Sequence, residues 1–456
     1  MFFLLIRKEL LDQLLSLRFA MACVICLVIM LSSTFVLTKD YKEALADYRT
    51  NTVMHKNEIE ESQDFTWGGI KLDKPLNPMQ IFFKGVDRDL TTTAQVSGLR
   101  EAQFEADYEG NPVSFLFPSI DLQFFIGIVM SLLALAFSYD AVAGEKELGT
   151  LKLLMSYSVP RDQVLLSKWI GGYLALIMPF LLAVLSGLVV VVLFPTVELR
   201  ALHWQSLGLI LLVSMLYLSA MYSLGLFVSA RTQLASTAIT VLLMIWVLIV
   251  LILPNTAPYI ADQVAAVRSF VLVEKQKSQI GRDEEERLNR EVEEWAEANP
   301  DVPQWDGFAW WSKWTKLNME RLERLVDSQK KVNKQYQKQM EEQVRLAQYL
   351  SRLSPLASFV YAATDLAGTG VQDRNRFMDQ LPVYRKTVSL FGQQSWVDAA
   401  ERGDWDSRTT EGYPQFVYEE PVVSDRINWL DILILGMWNV IFFMGAYLSF
   451  LRYDVK

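Results

Sequence analysis

Apolar and polar positions are segregated along this chain into long blocks. Six apolar runs of about 20 residues, each long enough to cross a bilayer as a helix, fall at Phe19–Thr38, Leu122–Tyr139, Trp169–Phe194, Leu207–Val228, Leu234–Leu253 and Leu430–Leu451. No Lys, Arg, Asp or Glu interrupts the middle of any of them, and Asp431 stands only at the start of the last. The first run is longer than a signal-peptide core and lacks a small-residue cleavage site, so it reads as an uncleaved anchor. The pattern predicts a mainly α, six-span membrane protein.

Two long polar blocks separate these runs, 39–121 and 254–429. The first carries Gly/Pro/Asp punctuation ("TWGGIKLDKPLNP") and reads as compact and mixed. The second contains two charge-rich helical stretches, Asp283–Ala298 and Lys316–Leu353. In the latter, Leu322, Leu325, Val332, Tyr336, Met340, Val344 and Ala347 recur mostly at three, four or seven, which makes one apolar stripe on a helix about 55 Å long. A helical hairpin or coiled coil and an amphipathic helix lying on its own domain both satisfy that stripe. Between the stretches, Trp305, Trp310, Trp311 and Trp314 surround Phe308. So many large aromatics suit either a seat at the bilayer interface or a local aromatic core.

The short connections set the orientation. Arg7, Lys8 and Arg18 precede span one, Lys146, Lys152, Arg161 and Lys168 lie between spans two and three, Arg231 lies between four and five, and Arg452 and Lys456 follow six. The short opposite loop 195–206 carries only Arg200. The positive-inside rule then places both termini in the cytoplasm.

Composition narrows the chemistry. The 456 residues are 52% hydrophobic and 21% charged, with a formal net charge of −9 that argues against a nucleic-acid partner. The two cysteines, Cys23 and Cys26, both lie in span one and read as packing residues. With only His55 and His203, a zinc site or Ser-His-Asp triad has almost no material, so no metal and no catalytic residue is expected. The spans lack the carboxylate or basic residue of an ion-coupled carrier. Gly144 to Thr150, "GEKELGT", has the outer spacing of a phosphate loop, but Thr150 stands where a Walker A requires Lys. No nucleotide site lies in this chain.

That stretch opens the segment "GEKELGTLKLLMSYSVPRDQVLLSKWIGGY", Gly144–Tyr173. Gly149 can end one helix and Thr150 cap the next, with Leu151, Leu153, Leu154 and Met155 apolar, until Pro160 breaks it. The outcome is a short helix near the membrane surface flanked by Glu145, Glu147 and Arg161. A docking element tied to two spans and a plain connecting loop both fit these residues.

The segment resembles the region after the second span in ABC-2 type permeases, the membrane subunits of bacterial ABC transporters. The matching positions are Glu145, Glu147, Gly149, Thr150, Leu151, Leu154, Val159, Pro160, Arg161, Lys168 and Gly171. "IRKELLDQLLSLRF", Ile6–Phe19, is similar to that family's amphipathic N-terminal elbow helix, here 1–18. "LSPLASFVYAATDLAGTGVQDRNRF", Leu353–Phe377, resembles a region before the last span in a subgroup with enlarged extracytoplasmic loops, related to permeases described as involved in multicopper-enzyme maturation.

The resemblance implies a non-enzymatic permease subunit of an exporter in the bacterial cytoplasmic membrane, with 140–168 as its coupling segment. ATP and Mg would be bound by a separate ATP-binding subunit docked on Glu145, Glu147, Gly149, Thr150, Leu151, Leu154, Pro160 and Arg161. A second copy or a related permease would complete the pathway, and membrane lipid and an extracytoplasmic protein are further expected partners. Ser214, Tyr217, Ser219, Tyr222 and Ser223 in span four, and Ser236, Thr237 and Thr240 in span five, either line that route or pack helices. Pro179 in span three and the Leu253-Pro254 end of span five are the expected moving parts. The alternative is an ATP-driven relay acting on an envelope partner without solute transport, which the long exterior helix would suit.

Overall fold

The structure, a computed structural model, describes residues 2–61, 70–88, 93–96, 103–104, 120–156, 159–305, 307–402 and 412–453. Among them six helices are long and apolar enough to cross a membrane, Leu17–Glu60, Leu122–Glu147, Arg161–Val192, Ala201–Arg231, Ala235–Val264 and Trp429–Leu451, here spans 1 to 6. A bilayer interior offers backbone N–H and C=O groups no partner, which forces these apolar runs into helices. The expected mainly α, six-span architecture is the one observed. Six crossings leave both chain ends on one face, the termini-bearing face; the opposite one is the far face.

Span 4 is the hub. In its most apolar window 67% is buried inside the protein, against 22% for span 5 and 17% for span 6. It packs on spans 2 and 6 and on the helix Pro355–Ala367, while span 1 lies along span 3. Cys26 joins this core, its Sγ 3.6 Å from the Met130 sulfur.

Span 2 widens into a π-helical turn at Phe125–Met130, which loosens the i→i−4 ladder. The Gly127 carbonyl there accepts from Ser131 Oγ at 2.6 Å and from the Tyr217 hydroxyl of span 4 at 3.0 Å. Ser131 Oγ in turn accepts from Trp246 Nε1 of span 5 at 2.9 Å. One irregular turn thereby pins three spans together.

Span 5 differs from expectation. The helix does not end at Leu253-Pro254 but runs on to Val264, after a π-helical turn at Val247–Ile252. The wider turn accommodates the missing N–H and bulky ring of Pro254. Span 1 also outruns its apolar block, continuing as helix to Glu61. No Gly or Pro occurs between Lys39 and Glu61, so nothing breaks the helix where it leaves the apolar zone.

On the far face the two polar blocks form one domain. An antiparallel sheet, β1 (Ile70–Asp73), β2 (Thr93–Val96) and β3 (Gln103–Phe104), pairs Ile70 with Val96 and Ala94 with Phe104. Ile70, Ala94 and Val96 share a core with Ile59 of the span 1 extension and with Phe377, Leu381 and Tyr384 of helix Val371–Arg402. Lys74 and Asp373 join the blocks again through a buried 2.7 Å ion pair.

Helices Phe270–Ala298 and Gly307–Ser351 form an antiparallel hairpin. Phe270 meets Tyr336, Arg324 bonds Glu284 at 2.9 Å, and Trp295 meets Trp310. The stripe on the second helix is therefore answered within the chain. The tryptophans require a correction. They sit at the hairpin's turn, about 60 Å of helix beyond Ser351, so a seat at the bilayer interface does not fit. Trp310 is buried against Trp295 and Trp305, and Trp311 contacts Trp305 and Trp314. Trp310 is the buried centre of an aromatic cluster that closes the hairpin, with Trp305 and Trp311 on its exposed rim.

The hairpin returns to the spans through Pro355–Ala367. Ser354 caps it, accepting from Leu356 N at 3.2 Å, Pro355 opens the first turn, and Gly368 closes it at φ +70°. Phe359 stacks on Tyr217 with ring centroids 5.0 Å apart. Just before it, Arg352 grips Asp431 of span 6 with two bonds of 2.7 and 3.0 Å, and Asp431 is fully buried.

Two expectations follow. Asp431→Ala strands the Arg352 guanidinium and should cost about 3–5 kcal/mol, read as a lowered thermal midpoint in detergent. Adding Arg352→Leu should recover part of that loss. Burial, opposed by a 3.1 Å bond from Asn428, raises the Asp365 carboxyl from 3.8 to about 6. The folded chain then holds this proton more tightly than the unfolded one, so stability falls as pH rises from about 4 to about 6 and stays reduced above. Asp365→Asn should flatten that fall and raise the thermal midpoint at neutral pH.

Candidate functional site

The termini-bearing face gathers the segment after span 2, the N-terminal helix Phe2–Leu14 and the near ends of spans 3 to 6. The segment forms a helix Ala143–Glu147, a turn, and a second helix Thr150–Ser156. Gly149 makes the turn at φ +73°, a conformation that costs glycine nothing. Its N–H reaches the Lys146 carbonyl at 3.1 Å. Thr150 Oγ1 donates back to the Glu145 carbonyl at 3.3 Å. The turn expected at Gly149 is present, but Thr150 is the first residue of the second helix rather than its cap, its hydroxyl being turned back to Glu145.

Lys168 of span 3 organises the face. Its ammonium lies 3.0 Å from Glu9 of the N-terminal helix and 2.7 Å from Glu145, and the residue is 2% exposed. The N-terminal helix reaches this close because of Gly171. A Cβ there would lie 2.8 Å from Glu9 Cβ and 3.1 Å from the Ile6 carbonyl. A side chain on the next residue, Gly172, would overlap the Tyr222 hydroxyl, which donates to the Lys168 carbonyl at 3.3 Å.

Further bonds tie the segment to the remaining spans. Glu147 Oε2 accepts from Ala235 N at 3.0 Å, capping the start of span 5. Arg161 donates to the Leu451 and Tyr453 carbonyls at 2.8 and 3.0 Å, closing the end of span 6. Ser229 of span 4 accepts from the backbone N–H of Val142 and of Ala143, both at 3.0 Å.

The surface left for a partner differs from the expected one. Leu151 is fully buried with Val142, Val164, Leu165 and Leu226, and Leu154 packs against that cluster. Leu151, Leu154 and Met155 follow the three–four spacing of an inward stripe, a signal that was available in the sequence. The exposed apolar residues are Leu148 at 78% and Leu153 at 64%, beside exposed Glu147, Gly149, Thr150 and Pro160. Glu9 also escaped the sequence reading, since nothing local pairs it with Lys168.

The candidate pathway residues separate into two groups. Ser214 and Ser223 are buried: Ser214 Oγ bonds the Ile210 carbonyl at 2.7 Å, and Ser223 accepts from Trp169 Nε1 at 2.8 Å. Tyr217 is committed to Gly127. Ser236 and Thr240 instead lie on the exposed face of span 5, with Met244, Val247, Leu248 and Leu251 continuing it.

The chain matches the family described as ABC-2 family transporter protein over residues 3–455. It is similar to the probable ABC transporter permease protein NosY of Stutzerimonas stutzeri, 34% identical over 125 residues that cover 27% of this chain and 45% of that relative. It is likewise similar to the probable ABC transporter permease protein NosY of Pseudomonas aeruginosa strain PAO1, 36% identical over 115 residues, 24% of this chain and 42% of that relative. The chain thus spans less than half the length of the curated relatives it matches.

Lys168→Met leaves two carboxylates facing each other without their cation. The loss should be about 3–5 kcal/mol, measured as a drop in thermal midpoint. Glu9→Gln should cost less, because Glu145 still neutralises the ammonium; an equal loss would show that the pairing is not the source of the effect.

Proposed function

The chain belongs to the ABC-2 family of transporter proteins and is a multi-pass permease subunit, and from that premise we propose that it couples ATP hydrolysis in a separate subunit to export. Both termini then face the cytoplasm, in line with the basic residues gathered on that face, and the membrane is the bacterial cytoplasmic one. The ATP-binding subunit, which holds the ATP and Mg, docks on the exposed face of the segment after span 2. Leu148 and Leu153 provide its apolar contacts, with Glu147, Gly149 and Thr150 around them.

The observation that carries this reading is the combination of two exposed leucines with a segment bonded to every neighbouring element. Glu145 engages Lys168 of span 3, Glu147 caps span 5, and Arg161 caps span 6. A push on the leucines cannot be absorbed locally. It reaches spans 3, 5 and 6 through charged contacts and span 2 through the continuous backbone. The route itself lies outside the protomer core, whose hydroxyls are committed to packing. Ser236 and Thr240 on the exposed face of span 5 would line it against a second copy or a related permease.

Each leucine is expected to contribute about 1.5–3 kcal/mol when buried by a partner. Leu148→Asp with Leu153→Asp should therefore reduce co-purification of the ATP-binding subunit by at least roughly 100-fold while leaving the thermal midpoint unchanged. Stoichiometric recovery with the double variant, or no ATP-binding subunit with the native chain, would refute the docking assignment.

A further inference from the structure

We propose that a basic cavity at the termini-bearing end of spans 4 and 6 binds the headgroup phosphate of an anionic phospholipid. The cavity, of about 620 Å³, is lined by Lys146, Arg231 and Arg452, and on its apolar side by Phe227, Gly445 and Leu448. Among the described residues no carboxylate lines it. This inference needs only the membrane placement of the six spans and does not rest on ATP coupling.

Several cations of this face are neutralised or committed. Arg18 pairs with Asp140 at 2.7 Å, Lys168 sits between Glu9 and Glu145, and Arg161 is held by two carbonyls. Lys146, Arg231 and Arg452 meet at one cavity, and among the described residues none of the three has an ion-pair partner. Lys146 is fixed in place nonetheless. Its ammonium donates to the Ala230 and Thr232 carbonyls at 2.5 and 3.0 Å and lies 4.7 Å from the centre of the Tyr453 ring. Two of its three N–H donors are used and neither acceptor carries a full charge, so an anion in the cavity gains a positioned cation with a donor to spare.

The shape favours a lipid over a soluble anion. The apolar wall at Leu448 continues along span 6 through exposed Met444, Ile441, Val440 and Met437. A phosphate held by the three cations at the membrane edge therefore places its acyl chains on that face. Basic pockets between spans, open to the bilayer, are where anionic headgroups gain both terms at once.

Native mass spectrometry of the purified chain would test this, with phosphatidylglycerol and phosphatidylcholine of identical acyl chains added in turn. Arg231→Gln with Arg452→Gln is the informative variant, because both side chains are exposed and their loss should leave the fold intact. The native chain should retain phosphatidylglycerol at least roughly 10-fold over phosphatidylcholine, and the variant should lose that preference, at about 1 kcal/mol per basic residue. Equal retention of the two lipids by the native chain overturns the proposal, as does an unchanged preference in the variant. Full displacement of the lipid by millimolar inorganic phosphate would assign the site to a soluble anion instead. A variant that keeps its lipid preference but loses an ATP-binding subunit would assign the cations to protein contact, and would likewise overturn it.

Discussion

The ammonium of Lys168 is withdrawn from water at the edge of the membrane, where an isolated charge is costly enough that it persists only with a partner. Here it has two, Glu9 and Glu145, and they come from separate elements. The N-terminal helix cannot slide along span 3 without breaking one contact, and the segment after span 2 cannot lift without breaking the other. Glu145 also keeps one carboxylate oxygen buried and without a hydrogen-bond partner, so the cluster holds more acceptor capacity than it uses. Gly171 and Gly172 allow this arrangement by letting a helix backbone and a tyrosine hydroxyl approach within the radius of a side chain.

Within the spans the same requirement is met by neutral groups. The π-helical turn of span 2 would leave a carbonyl short of a donor in an apolar medium. Tyr217 and Ser131 supply the donors, and Trp246 completes the chain from span 5. Asn439 of span 6 plays a related role, accepting from Ser219 at 2.6 Å and donating to the Leu216 carbonyl at 2.9 Å. Tyr217, Ser219 and Ser223, hydroxyls that look in sequence like the lining of a polar route, therefore fasten span 4 to spans 2, 6 and 3. A conduit through the core of this chain would have to break them.

Much of this was legible in the chain. The six runs announced their spans, because about 20 uncharged apolar residues have few other fates. The turn at Gly149 followed from local backbone chemistry. What escaped were features set at long range. The continuation of span 1 to Glu61 carries no composition signal, since polar and apolar helix share one backbone pattern. The Lys168 cluster joins positions 9, 145 and 168, and the far-face core joins Ile59 to Phe377. The tryptophans mattered in a different way than expected. Interfacial seating and aromatic clustering draw on the same residue type, and only the hairpin's length decides between them.

Span 6 connects these two worlds. Its termini-bearing end is closed by Arg161, whose guanidinium donates to the Leu451 and Tyr453 carbonyls. Its far end is gripped by Arg352 through a bidentate contact to Asp431. Bidentate guanidinium contacts fix direction as well as distance, so a tilt of span 6 is passed to the base of the hairpin rather than lost in a loose joint. The hairpin is also held at its base by Gln343, which donates to Asp262 at 2.9 Å and to the Ala265 carbonyl at 3.1 Å, at the far end of span 5. Spans 5 and 6 are the two that Glu147 and Arg161 cap from the segment after span 2. The far-face hairpin therefore rests on the same two helices whose opposite ends are capped by that segment. Its aromatic tip lies about 60 Å of helix from that base, so the two capped helices carry the whole length of the hairpin.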